Sequence, residues 1–389
     1  MTIVNLGTYP PKQCGIATFS MDLRNSIEMC GENVEVISVS DSNTVYQYSP
    51  EVKFSIRQEE KQDYYQAAKY VNNCPDVKMV IIQHEYGIYG GPDGEYILGL
   101  VKRLLKPYIV ITHTVLPSPK RHPQSVLRRL CSGAAATVCM TKRSARLLTD
   151  IYGIPAHLIK VISHGVPEFI LNNPAELKQK YGLAAKTVIS TFGLIGPGKG
   201  LELGIKALVP IVKRYPDALY LILGQTHPVL INREGESYRL MLFNLVNELG
   251  LQNHVRFVNK FLDDVELNEY LNLTDIYLSP YPNKDQAVSG TLAFALGAGK
   301  AIVSTSYAYA LEVLTYGRGL LAMEANPEQL ARLISQIIAK PDLKKSLEEN
   351  AYQLGKTWTW PNIGRQYCSL FAMLEQTEQE ELPVNYARL

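Results

Sequence analysis

Short β-branched runs alternate with segments of helical period along almost the whole chain, and that alternation leaves few folds open. The runs are "TIVNL" (2–6), "VEVISV" (34–39), "VKMVIIQ" (77–83), "YIVIT" (108–112), "ATVCM" (136–140) and "IKVIS" (159–163). Strands separated by helices return parallel through right-handed crossovers, which predicts a parallel sheet covered on both faces. The pattern restarts after the polar stretch "EFILNNPAELKQKYGLAAK" (168–186), with "TVISTFG" (187–193), "ALYLILG" (218–224), "HVRFV" (254–258), "DIYLSP" (275–280) and "AIVST" (301–305). The reading is an α/β chain of two doubly wound domains, 1–167 and 187–359, joined by a linker over 168–186.

In open parallel sheets ligands bind at the carboxyl ends of strands, so the loops that follow strands are where chemistry is expected. Both halves carry ligand-type loops there, which predicts a cleft between the domains. In the second half, "FGLIGPGKGLELGIKAL" (192–208) spells G-x-x-x-x-G-K from Gly193, a phosphate-binding loop without its metal-binding hydroxyl, because Gly200 stands where Ser or Thr is required. Backbone N–H groups near Gly196 and Gly198, together with Lys199, would hold an anion without a cation. Ser289, Gly290 and Thr291 open a second apolar helix, and two helix N-termini in one domain can share one diphosphate. A structural tight turn with a surface lysine is the plain alternative.

No D-x-D carboxylate pair, H-x-x-x-H or grouped cysteines supply ligands for a metal, so none is expected, nor any other cofactor. His113 in "ITHTV" ends an apolar strand two residues beyond Ile111 and is expected to point into the cleft. His84 and Glu85 in "IIQHEYG" share that placement, though neighbours on an extended segment face opposite ways. His164 in "ISHGVP" stands at the domain junction. Each histidine has a bland alternative as a satisfied core side chain.

A net charge of +2 argues against nucleic acid as the main partner. The opening "MTIVNLGTYPPKQCG" has no basic segment followed by an apolar run, and no apolar run approaches the ~18 residues of a spanning helix, so a cytoplasmic chain is expected. The six cysteines form no C-x-x-C pair and are expected to be reduced. From Tyr96 to Thr149 ten Lys and Arg residues occur with no Asp or Glu. In "VKRLLKPY" and "SVLRRLCSG" bases mix with apolar residues, which suggests peripheral contact with an anionic membrane; solvated helix faces are the alternative.

"FGLIGPGKGLELGIKAL", "SHGVP", "SGTLAFALGAGKAIVST" and "GRGLLAMEANPEQLARLI" together resemble glycosyltransferase family 4, retaining transferases of the GT-B fold. "YPPKQCGIATFSMDL", "QHEYGIYGG" and "THTVLPSP" are similar to its exopolysaccharide, mannosyltransferase-like subgroup. The resemblance implies that the second domain binds a nucleotide-sugar donor (GDP- or UDP-linked), that the acceptor faces the first domain, and that a final helix, about 360–389, crosses back to the first domain. It implies catalytic roles for His113, Lys199 and Gln286, and donor contacts from Gly15, His164, Gly196, Gly198, Lys199, Gln286, Ser289, Gly290, Thr291 and Glu312; His84 and Glu85 would lie on the acceptor side. Gly15 would let the first loop approach the substrate closely.

Two departures from the family pattern stand out. Leu194 occupies a common arginine position, and Gln286 and Phe294 replace the glutamates of E-x7-E. An amide still bonds sugar hydroxyls, but a phenyl ring accepts nothing from a ribose, which leaves Glu312 as the nearest candidate for that contact. The expected activity is metal-independent, retaining transfer of a hexose, mannose favoured, to a glycan or lipid-linked acceptor. A GT-B nucleotide-sugar epimerase, a P-loop triphosphatase and a catalytically decayed binding subunit are the rival readings.

Overall fold

The computed structural model describes residues 1–41 and 44–381. Two compact units divide the chain: Met1–Gly165 joined by the chain from Trp360 onward, and Val166–Thr359. The first unit is built in the order β1 (Thr2–Gly7), α1 (Gly15–Glu28), β2 (Asn33–Ser40), β3 (Val52–Arg57), α2 (Lys61–Asn73), β4 (Val77–His84) and α3 (Tyr96–Val101). It continues through β5 (Tyr108–Thr112), α4 (Arg121–Ser132), β6 (Ala136–Cys139), α5 (Lys142–Asp150) and β7 (Ile159–Val161). The second unit runs through α6 (Pro174–Lys180), β8 (Thr187–Phe192), α7 (Leu201–Arg214), β9 (Ala218–Leu223), α8 (Pro228–Glu234), α9 (Ser237–Glu248) and β10 (Val255–Val258). It is completed by α10 (Asp264–Leu273), β11 (Ile276–Ser279), α11 (Gly290–Gly297), β12 (Ala301–Thr305), α12 (Ala308–Val313), β13 (Leu320–Ala322), α13 (Pro327–Ala339) and α14 (Pro341–Gly355). The chain then returns to the first unit as α15 (Trp360–Glu381).

Both sheets are parallel throughout, in the orders β3-β2-β1-β4-β5-β6-β7 and β10-β9-β8-β11-β12-β13. The expected α/β, doubly wound architecture is therefore present twice. In each unit the first strand lies in mid-sheet with connections leaving to either side, so the strand order reverses at β1/β4 and again at β8/β11. Ligands of open α/β sheets bind outside the carboxyl ends of strands at such reversals. Helices cover both faces, so β5, β9 and β12 are buried at every residue, and this is why they read as largely apolar runs without alternation.

Segment 168–186, read as a linker, carries α6. Asn173 caps it by accepting from the Ala175 N–H at 3.0 Å, Pro174 supplies a preset first turn, and Leu177 is buried. On the returning helix α15, Ile363, Tyr367, Leu370 and Phe371 are buried, the spacing of one helical face. α15 packs on α1, and a Cβ on Gly364 would lie 2.3 Å from the Ser26 carbonyl oxygen. Residues 382–389, the end of the helix expected over 360–389, lie outside the described residues.

Candidate functional site

In the second unit the chain leaves β8 at Gly193, whose φ of +121° suits glycine, and turns through Pro197–Lys199 into α7. Gly200 adopts φ +60°, and a Cβ there would sit 2.2 Å from the Pro280 carbonyl oxygen. The hydroxyl residue of a triphosphatase loop therefore has no room at this position. A Cβ on Gly196 would meet only the tip of the Leu230 side chain, at 2.7 Å, and Gly198 borders open space.

Lys199 Nζ donates to the Tyr281 hydroxyl at 2.6 Å, and that hydroxyl lies 2.7 Å from Thr291 Oγ1. Ser289 Oγ is 3.2 Å from Thr291 Oγ1 and caps α11 by accepting from the Leu292 N–H. Thr291 and Lys199 also flank Gly193, at 3.0 and 3.3 Å from where its Cβ would stand. The fold thus gathers Lys199, Ser289 and Thr291 at the carboxyl ends of β8 and β11, as the sequence suggested, and adds Tyr281. The Tyr281 ring is buried and stacks on Tyr307 at 5.1 Å. Burial acts to raise its phenol pKa, but the Lys199 ammonium beside it, with the bonds to Thr291 and Ser289, outweighs burial and lowers it.

The two helix N-termini differ. In the glycine turn the Lys199 and Gly200 N–H groups bond back to Gly196 and Pro197 carbonyls, and the Leu201 N–H donates to the Tyr238 hydroxyl. At α11 the Gly290 and Thr291 N–H groups have no partner among the described residues. In the glycine turn the N–H groups of Gly196 and Gly198 likewise have no partner among the described residues, so both turns offer open backbone donors. Gln286 donates its amide nitrogen to the Val288 carbonyl at 2.8 Å, and its amide oxygen has no partner among the described residues. Phe294 packs between Phe169 and Phe192, both 6.3 Å away. Glu312 stands on α12, after β12, one strand further along the sheet.

In the first unit the residues gather at the ends of β1, β4 and β5. The His113 ring is partly exposed, meets the Phe19 ring edge-on at 4.8 Å, and has Nε2 2.8 Å from Gln83 Oε1. Burial, with His164 and His84 nearby, lowers its pKa to about 3. His164 is held between Phe19 and Trp360 and donates through Nδ1 to the Gly165 carbonyl at 2.7 Å; burial lowers its pKa to about 4. Gly15 opens α1, and no atom lies within 4 Å of where its Cβ would stand.

The pair His84 and Glu85 divides as strand alternation requires. His84, expected on the acceptor side, is 1% exposed, lies edge-on to Tyr86, and has a buried Nδ1 without a partner among the described residues. It is closed off from any ligand at the surface, and burial lowers its pKa to about 4. Glu85 is partly exposed, accepts from Thr114 Oγ1 at 2.6 Å and from the Tyr86 N–H at 2.9 Å, and has its carboxyl pKa raised by burial.

The basic segment also needs one correction. Of its ten cations all but Lys106 are exposed. Yet Val126, Leu127, Leu130 and Cys131 of α4 turn inward to the core, so this helix presents no apolar face of the interfacial kind. Acids lie nearby as well: His122 bridges Asp93 and Glu95, at 2.8 and 3.3 Å. Among the described residues no helix is long and apolar enough to cross a membrane, and no three His, Cys, Asp or Glu side chains group as a metal site.

Residues 174–354 match the family "Glycosyl transferases group 1". The chain is 29% identical over 202 residues to the uncharacterized glycosyltransferase MJ1069 of Methanocaldococcus jannaschii, covering 51% of this chain and 48% of that protein. It is 25% identical over 195 residues to the lipopolysaccharide core biosynthesis mannosyltransferase LpcC of Rhizobium leguminosarum, covering 49% and 53%. The chain thus spans about half the length of these curated relatives. The crystal structure of Anabaena HepE in complex with UDP superposes with a TM-score of 0.77 at 17% identity, over 96% of this chain and all of that one. At that identity the likeness shows the fold: two Rossmann-like, parallel-sheet units of the GT-B class.

Proposed function

We propose that this protein is a retaining, family 4-like hexosyltransferase that moves a sugar, mannose favoured, from a GDP- or UDP-linked donor to a glycan or lipid-linked acceptor without a metal ion. The observation that carries the reading is the Lys199–Tyr281–Thr291 cluster beside the open N–H groups of Gly290 and Thr291. It lies at the strand reversal of the segment that matches the glycosyl transferases group 1 family. A cation, two hydroxyls and two backbone donors at one helix N-terminus suit a departing diphosphate, because charge that develops as the glycosidic bond breaks meets donors already in place. The Gln286 amide oxygen accepts from a donor-sugar hydroxyl and Glu312 serves the ribose. His113 orients the transferred sugar, and His164 packs behind it. Attack comes from the face the nucleotide leaves, with the donor phosphate accepting the acceptor's proton. Glu85 lies on the acceptor side. LpcC's name and the UDP held by HepE support the sugar and nucleotide classes.

The deciding experiment is a thermal-shift panel of UDP, GDP and their hexose conjugates in EDTA, followed by transfer assays with the stabilising donor. A ligand bound to the native state raises stability by RT ln(1 + [L]/Kd). Stabilisation and transfer in EDTA are expected. Stabilisation only when Mg²⁺ is restored removes the metal-free mechanism, and release of free sugar with no transferred product favours the epimerase reading.

A further inference from the structure

A directional chain of buried hydrogen bonds ends on His113. It begins at the Ser20 backbone carbonyl in α1, which can only accept. Asn5 on β1 donates Nδ2 to that carbonyl at 3.1 Å, so its Oδ1 points the other way and accepts from Gln83 Nε2 at 2.9 Å. Gln83 on β4 is thereby left with Oε1 toward His113 Nε2, 2.8 Å away. Flipping either amide would set two acceptors against each other in a site closed to bulk solvent, since Asn5 and Gln83 are 1% and 0% exposed. The path exists because β1 ends in Gly7: a Cβ there would lie 2.7 Å from the Gln83 Cβ. The Phe19 edge and the His113 N–H bond to the His84 carbonyl at 3.0 Å fix the ring around this contact.

We propose that Asn5 and Gln83 are positioning residues that hold His113 as the Nε2–H tautomer, so that its Nδ1 offers a lone pair to a hydroxyl of a neutral carbohydrate and rejects acceptor-only groups such as phosphate oxygens. The assignment of that hydroxyl to the transferred sugar rests on the proposed transferase function; the tautomer does not. His113 Nδ1 has no partner among the described residues, as an atom that meets a ligand requires. Because burial keeps the ring neutral, one nitrogen donates and the other accepts, and the relay decides which.

The test is nitrogen NMR of the full chain labelled with ¹⁵N-histidine at neutral pH, with His113 assigned from the spectrum of His113→Gln. The wild type is expected to show a pyridine-type Nδ1 and an Nε2 whose proton exchanges slowly with water. Gln83→Met, similar in size but unable to accept this bond, is expected to lose the slow proton and to show both tautomers, with kcat down about tenfold or more, the equivalent of one lost hydrogen bond. Gln83→Glu, its carboxyl kept protonated by burial so that the O–H donates to Asn5 Oδ1, restores an accepting oxygen toward His113 and is expected to recover the slow Nε2 proton. A wild-type ring protonated on Nδ1 overturns the proposal, and this reading needs no variant to fold. A slow Nε2 proton that survives Gln83→Met also overturns it. The expected wild-type spectrum without transfer from any sugar nucleotide sinks the transferase reading and leaves the relay standing; transfer by a chain whose His113 carries its proton on Nδ1 does the reverse.

Discussion

Lys199 is held by a phenol 82 residues further along the chain. If its ammonium meets the leaving diphosphate, Lys199→Ala should lower kcat/KM by ~30-fold to ~1000-fold, the ~2 to 4 kcal/mol of one charge-assisted contact to developing charge. Tyr281→Phe keeps the cation but frees it, so a loss nearer ~3- to ~10-fold is expected, the scale of one ordinary hydrogen bond at about 1 kcal/mol. Steady-state kinetics of both variants check this; a Tyr281→Phe loss as large as that of Lys199→Ala would mean that the hydroxyl itself carries the charge. Gln286→Ala should weaken the sugar nucleotide while leaving the free nucleotide diphosphate almost unchanged, measured by calorimetric titration of both ligands. Equal weakening would place Gln286 away from the sugar. Sequence made Lys199, Ser289 and Thr291 legible, because their types sit in turns that follow strands. Tyr281 was not legible: "SPYPNKD" follows a strand too, but nothing local tells a phenol that packs from one that grips a lysine. His84 shows the same limit, since alternation predicts that it opposes Glu85 but not which of the two is buried.

At the scale of elements, strands covered on both faces announce themselves, and β5, β9 and β12 were readable as apolar runs. The edge strands β3 and β13 were not, because β3 is largely uncovered and β13 has three residues. Segment 168–186 read as a linker because its one short helix buries mainly Leu177, too little for a periodic signal. The α1–α15 contact shows how a single position can reverse a propensity rule. Gly→Ala within a helix ordinarily stabilises by ~0.5 to 1 kcal/mol. At Gly364 the new methyl would stand 2.3 Å from the Ser26 carbonyl, so Gly364→Ala should instead destabilise the first unit by ~1 to 3 kcal/mol. Chemical denaturation decides the sign, and a stabilised variant would show that α15 can shift on α1 at little cost.

For the molecule as a whole, two buried histidines and the partly exposed His113 make the first unit sensitive to acid. Burial lowers His84 and His164 to about 4 and His113 to about 3 from an ordinary 6.5, so below pH 6.5 the unfolded chain takes up protons that the folded unit refuses. Their contribution is complete above pH 6.5 and is lost as pH falls toward 4, with a slope of ~1.4 kcal/mol per pH unit for each histidine. His84→Leu should flatten the dependence of stability between pH 6 and 5 by about one such increment, measured by denaturant titration at several pH values; an unchanged slope would mean that His84 charges while folded. The apolar face of α4 is committed to the core, so peripheral membrane contact would rest on the exposed cations and on Leu105, which is 83% exposed among them. Co-sedimentation should then show binding to anionic vesicles at low ionic strength that fades as salt rises toward ~0.15 M. Equal binding to neutral vesicles, or none, leaves a soluble acceptor.

The return of α15 also makes the second unit an insertion whose two ends are tied together: the Val166 N–H bonds the Trp358 carbonyl at 2.8 Å, and Val166 pairs with Thr359. During synthesis the inserted unit is complete once residue 359 has left the ribosome. The unit that begins the chain must wait longer, with Phe19 lacking its Trp360 neighbour and Ser26 lacking the close approach of Gly364. The face of α1 that packs on α15 therefore stays uncovered until the chain has been made past residue 364.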